Sequence, residues 1–269
     1  TERLVGSEMC IRDRYNGSTW ERFGANSGII NGGTDHYGGA NDNSDQFGQS
    51  VSLNYAGNRV AITAPFADGL NNSNNACGQA YIYEYNDSTL VSTTDTWSLS
   101  NSSTIIAGTA TTTRLGESEK SIALNRSSNT TIDGKYVVVS GEDVEEAMVY
   151  EDNNGTWQKK GQSLNVRGTS CSINENGNII VVSGATQAGD VWIYSYNSNN
   201  NEWDLKHNIV KGGGSSQYYG SVVDTNNIGN MFVVSGPYAN YVELHKYSNT
   251  DITQSGNWNV TTINPTNGY

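Results

Sequence analysis

The chain has 269 residues, a formal net charge of −12, thirty glycines and three prolines. That length holds one large all-β domain or two ordinary ones, and the abundance of turn formers beside short β-branched and aromatic runs speaks against long helices. A field this acidic repels phosphate and no Lys/Arg stripe interrupts it, so nucleic acid is not expected as a partner; no apolar stretch reaches the roughly 20 residues of a membrane-spanning helix, and no signal-peptide layout is visible.

Taken in chain order, the first segment is set aside. Ser7 to Arg14, SEMCIRDR, resembles the translation of a sequencing-adaptor string, so residues 1–14 are read as non-native or disordered, against the competing reading of an ordinary N-terminal strand. From Tyr15 to Gly24, YNGSTWERFG matches only the later half of a repeat seen in full downstream (compare EDNNGTWQKKG from Glu151), which makes 15–30 a partial leading blade. The first full copy, about 45–108, opens with FGQSVSLNYAGNRVAITAP from Phe47 and continues through QAYIYEY from Gln79 to Trp97. The second, about 114–165, reads LGESEKSIALNRSSNTTIDGKYVVVSG from Leu115, with a longer polar turn, then EAMVYE from Glu146 and Trp157. The third, about 166–212, has RGTSCSINENGNIIVVSG from Arg167, DVWIYSY from Asp190 and Trp203. The fourth, about 217–263, has YGSVVDTNNIGNMFVVSGP from Tyr219, YVELHKY from Tyr241 and Trp258.

In three copies the leading glycine (Gly48, Gly168, Gly220) precedes the small residue closing the second strand (Ala64, Gly184, Gly236) by sixteen positions. Four short strands in fixed order, recurring at roughly 50 to 70 residues, are what a propeller blade requires. One twisted blade has two faces and cannot bury either alone, so neighbours must cover them. Runs such as VVVS from Val137 and IIVV from Ile179 are apolar at successive positions, as a strand covered on both sides demands. The predicted fold is therefore all-β: a β-propeller of four four-stranded antiparallel blades plus a partial leading blade, an incomplete fragment of a longer protein.

With the Phe47–Gly48 pair and AITAP closing at Pro65, the repeat resembles the FG-GAP repeat of integrin α-chain propellers, with Kelch repeats as a neighbouring likeness, over Tyr15 to about Ile263. The resemblance implies an extracellular or cell-surface binding or adhesion module, not an enzyme, whose partner is a protein or a glycan. Such repeats often hold calcium between the first two strands through aspartates spaced D-x-D-x-D-G. Here those turns read NYAGN from Asn54, NENGN from Asn174 and TNNIGN from Thr225, so only neutral amides stand at the alternate positions and no metal or cofactor is expected.

The three histidines, His36, His207 and His245, lie in different repeats with no zinc-protease or nucleophile-elbow motif near them, and are expected on the surface or in strands. Cys10, Cys77 and Cys171 imply no disulfide framework. Binding is expected on the rim where the connections from strand two to three and from strand four to the next blade emerge, because long loops on a rigid scaffold carry function. The candidate residues there are Asp35, His36, Tyr37, Asp42, Asp45, Asp68, Glu142 and Asp143. The alternatives are a propeller hydrolase or lyase with its site at the channel mouth, and a purely structural repeat.

Overall fold

The computed structural model describes residues 9–264 apart from 12, 16–17, 23–28, 32–44, 69–75, 86–96, 101–105, 109–113, 142–145, 185–188, 212–217 and 237–239. Every element among them is a strand. The leading strands are β1 (Met9–Ile11), β2 (Asp13–Tyr15), β3 (Trp20–Arg22) and β4 (Ile29–Asn31), with β1 paired to β4 and β2 to β3. The segment set aside in the sequence thus contributes β1 and the start of β2.

Four blades follow, each an antiparallel sheet whose strands lie in chain order. Blade 1 contains β5 (Val51–Leu53), β6 (Arg59–Ala64), β7 (Gln79–Tyr85) and β8 (Trp97–Leu99), with β9 (Ile106–Ala107) added along β7. Blade 2 contains β10 (Ile122–Leu124), β11 (Tyr136–Gly141), β12 (Glu146–Asn153) and β13 (Thr156–Lys159). Blade 3 contains β14 (Ser170–Ile173), β15 (Ile179–Gly184), β16 (Asp190–Asn197) and β17 (Glu202–Val210). Blade 4 contains β18 (Val223–Thr225), β19 (Met231–Gly236), β20 (Tyr241–Tyr247) and β21 (Trp258–Ile263). The predicted third strands and the tryptophan-marked fourth strands are found where the repeat put them.

The first strands stand side by side at the centre, and apolar clusters fill the joints between blades. Cys171 of β14 packs with Val138, Ala147 and Val149 of blade 2, and Val223 of β18 with Val181, Val191 and Ile193 of blade 3. Each fully buried valine or isoleucine among them stabilises by roughly 1.5–3 kcal/mol. An inner strand would otherwise present unpaired N–H groups along its edge. Serine hydroxyls of the neighbouring blade accept them: Ser52 Oγ from the Leu124 amide at 3.0 Å, Ser170 Oγ from Val223 and Ser172 Oγ from Thr225, both at 3.1 Å. Between blades 2 and 3 the Cys171 amide donates instead to the Lys120 carbonyl at 2.9 Å.

The asparagines of the turns after the first strands have a local job. Asn54, Asn125, Asn174 and Asn226 each turn the side-chain carbonyl back onto the amide that opens the second strand, at Arg59, Tyr136, Ile179 and Met231. An Asx closure of this kind satisfies the hairpin without an ion. The leading glycines of blades 2 and 3 also have a packing cause. A Cβ on Gly116 would lie 2.5 Å from Thr63 Cβ, and one on Gly168 would lie 2.4 Å from Ser140 Cβ, so the second strand of one blade leaves no room for a side chain at the start of the next.

Blade 4 carries a joint surface on its outer side that no described residue covers. Val181 of blade 3 is 0% exposed, whereas Val233, its counterpart in blade 4, is 37% exposed. At the other end Val51 is 53% exposed while its blade 2 counterpart Ile122 is 1% exposed.

Candidate functional site

The segments entering the four inner strands converge on one mouth of the axial channel, around a cavity of about 560 Å³. Gln46 and Gln49 reach it ahead of β5, Phe66 from the end of β6, Thr169 ahead of β14, and Ser221 with Val222 ahead of β18. Among the described residues its charged groups come from the segment before β10: Glu117, Glu119 and Lys120. Lys120 also lines a second space of about 210 Å³ further down the channel, beside Arg126, Glu175 and Asp224. The ammonium therefore stands where the mouth narrows into the shaft, 3.8 Å from Asp224.

These charges are unequally committed. Glu117 accepts from Arg114 at 3.1 Å, and that guanidinium lies 5.1 Å from the centroid of the Phe66 ring. Thr169 and Ser221 donate to backbone carbonyls, of Ser183 at 3.1 Å and Tyr218 at 2.7 Å. The Glu119 carboxylate is exposed and has no hydrogen-bond or ion-pair partner among the described residues; only its backbone carbonyl is engaged, by Ser50 Oγ at 3.1 Å.

Deeper in the joint between blades 3 and 4 lies a second titratable group. Tyr219 Oη donates to Glu243 Oε2 at 2.8 Å, His245 Nε2 lies 3.0 Å from the same oxygen, and Lys211 Nζ lies 2.7 Å from Glu243 Oε1. His245 stacks on Phe232 with ring centroids 4.6 Å apart, and its Nδ1 has no partner among the described residues. Burial pushes the Tyr219 phenol well above its ordinary range. Burial also pulls the His245 imidazole below its usual 6.5, against the opposing pull of Glu243. Burial would raise the Glu243 carboxyl, but the bonds from Lys211, Tyr219 and His245 outweigh it and hold the group low. An imidazole whose folded value is depressed takes up a proton more readily when unfolded, so its stabilisation is complete above about 6.5 and is lost as pH falls through that value. Thermal unfolding should show this as a Tm lower by roughly 2–4 °C at pH 5.5 than at pH 7.5, with a smaller fall in His245→Gln.

Of the eight rim residues singled out in the sequence, Asp35, His36, Tyr37, Asp42, Glu142 and Asp143 lie outside the described residues. Asp45 sits beside the mouth, its carbonyl accepting from the Phe66 amide at 3.2 Å. Asp68 closes its own loop, with Oδ1 accepting from the Ala76 amide at 2.8 Å and its carbonyl accepting from Gln79. Of the histidines, His207 is in β17, stacked on Trp258, and His245 is in β20. Cys77 and Cys171 are both buried, and burial pushes the Cys171 thiol up to about 12.

No family model and no curated protein sequence matches the chain. Solved structures do. The fold is similar to a candidate 6-phosphogluconolactonase from Bacteroides uniformis, with a TM-score of 0.52 and 10% identity over 96% of this chain and 71% of that one. It is similar to a second such candidate from Bacteroides fragilis, with a TM-score of 0.55 and 12% identity over 96% of this chain and 68% of that one. A protein from Lactobacillus plantarum matches with a TM-score of 0.53 and 10% identity over 97% of this chain and 69% of that one. The chain is an all-β protein of the β-propeller class.

Two expectations fall at this point. The likeness to FG-GAP, integrin-type repeats is not sustained, since no family model matches and the structural neighbours are 6-phosphogluconolactonase-like propellers. The physical reason is that the leading glycine answers to the Thr63 and Ser140 side chains of the preceding blade, a demand of the joint and not a family signature. With that likeness goes the support it lent to cell adhesion, an extracellular setting and a glycan partner. The expectation of a non-enzyme is overturned too: two of the same-fold structures bear the name of a hydrolase. A missing local motif was the wrong test, because a propeller assembles its site from segments far apart in sequence. Among the described residues no helix is long and apolar enough to cross a membrane.

Proposed function

We infer that this chain is a propeller hydrolase that opens a cyclic ester at the channel mouth, with the blades of 15–269 acting as one unit. The observation that carries the reading is that one cavity, at the entrance of the axial channel, is lined both by an uncommitted carboxylate, Glu119, and by Lys120, the next residue in sequence, whose ammonium lies 3.8 Å from Asp224. The names of the same-fold structures support it.

The chemistry needs few groups. Water attacks the ester carbonyl carbon while Glu119 takes its proton, and Lys120 donates to the carbonyl oxygen as negative charge develops there. Collapse of the tetrahedral intermediate breaks the ring C–O bond, and the proton held by Glu119 passes to the departing alkoxide. One water is added and one hydroxy acid leaves. The amides of Gln46 and Gln49 suit substrate hydroxyls.

A panel of sugar lactones followed by acid release tests the reading. General-base loss typically costs 10²-fold or more, so Glu119→Gln should lower kcat by about 100-fold while its unfolding midpoint stays close to that of the parent. A well-folded parent that opens no lactone, or a Glu119→Gln variant at full rate, defeats the assignment.

A further inference from the structure

We propose that the mouth selects uncharged, hydroxylated lactones and rejects those that carry a phosphate. The inference rests on the hydrolase reading above and names the substrate class for the same cavity. It separates this chain from the phosphorylated substrate that the names of its structural neighbours specify.

Charge at the cavity wall carries the argument. Glu117, Glu119 and Lys120 line it, so anions outnumber cations among the described residues there. The nearby guanidinium of Arg114 is held between Glu117 and the Phe66 ring, and Lys120 already has Asp224 3.8 Å away. The two other basic side chains on this side do not line the cavity: Arg167 lies two residues ahead of Thr169, and Lys211 is bound to Glu243 at 2.7 Å. By sequence, the connections at 32–44, 69–75, 109–113, 142–145, 185–188, 212–217 and 237–239 contain no lysine or arginine.

A phosphate monoester brings nearly two negative charges at neutral pH and is met elsewhere by arginine forks, lysines or helix N-termini. Among the described residues lining this cavity Lys120 alone is of that kind, and it is flanked by Glu119 and shared with Asp224 at 3.8 Å. The chain's formal charge of −12 adds a long-range field of the same sign, which slows the approach of an anion at low salt. A neutral polyol ester meets no such barrier, and Gln46, Gln49 and Ser221 offer it amides and a hydroxyl.

The test compares gluconolactone with its 6-phosphate, the same ring with and without the charge, on the full chain by acid release. The neutral lactone should have the higher kcat/KM by at least about tenfold at low ionic strength, and the gap should narrow as salt screens the field. Glu117→Gln removes one anion from the cavity wall, so the phosphorylated-to-neutral ratio should rise several-fold in that variant. A phosphorylated lactone turned over as fast as the neutral one, or faster, overturns this inference and leaves the hydrolase reading standing. Turnover of neither by a protein that unfolds cooperatively removes both.

Discussion

Replacing Gly78 with alanine should cost about 4 kcal/mol or more and leave little folded protein at ambient temperature. Gly78 has φ +78°, where an L side chain is strained by roughly 1–3 kcal/mol before any contact is considered. The added Cβ would then lie 2.3 Å from Leu115 N and 2.4 Å from Leu115 O, both backbone atoms that no rotamer change can move. Leu115 is held there because its amide donates to the Cys77 carbonyl at 3.0 Å and its side chain is fully buried in the joint between blades 1 and 2. Relief would require the two blades to separate. Gly155→Ala is the control, since that residue has φ +85° but nothing within 4 Å of the new atom. It should lose only the conformational part, about 1 kcal/mol. Equilibrium unfolding in urea measures both, and equal losses would show that blade contact at Leu115 does not constrain the site.

The second large effect separates two positions that the repeat makes equivalent. Val181→Asp should unfold the protein or cost at least about 3 kcal/mol, because it buries a carboxylate among Val191, Ile193, Val223 and Phe232 with no partner for its charge. Val233→Asp, the same change one blade on, should stay within about 1 kcal/mol because water reaches that face. Comparing the two by thermal and urea unfolding tests whether the outer side of blade 4 stands open in solution. Similar destabilisation at both positions would mean that something covers Val233.

The blades were legible because their signals are local and repeated. Four aromatic third strands, four tryptophans and the constant spacing from Gly48 to Ala64 specify the sheets with no need for long-range information. The glycine turns after the first strands were legible in the same way, because Gly57, Gly177 and Gly229 take positive φ there; the side-chain closures that Asn54, Asn174 and Asn226 add were not. The mouth was not legible. Gly116 and Gly141 stand twenty-five apart where the other copies have sixteen, and the sequence alone assigns the whole excess to the hairpin turn. In the structure the turn takes six of those residues: Asn125 reaches an amide eleven positions on where Asn54, Asn174 and Asn226 reach one five positions on. The remaining three lie ahead of β10, where Glu117, Glu119 and Lys120 meet the channel. Nothing in ESEK announces that placement, because which side of a strand an insertion falls on is settled by register with β11 and not by composition.

The serine contacts at the axis give the backbone a built-in reporter. In blade 4 the Val223 and Thr225 amides are directed away from their own sheet toward Ser170 and Ser172 of blade 3. Neither is released by loosening the ladder of blade 4, and both are released when that blade swings off its neighbour. Deuterium uptake at these two sites therefore clocks hinge-like parting of whole modules, separately from fraying within any one of them.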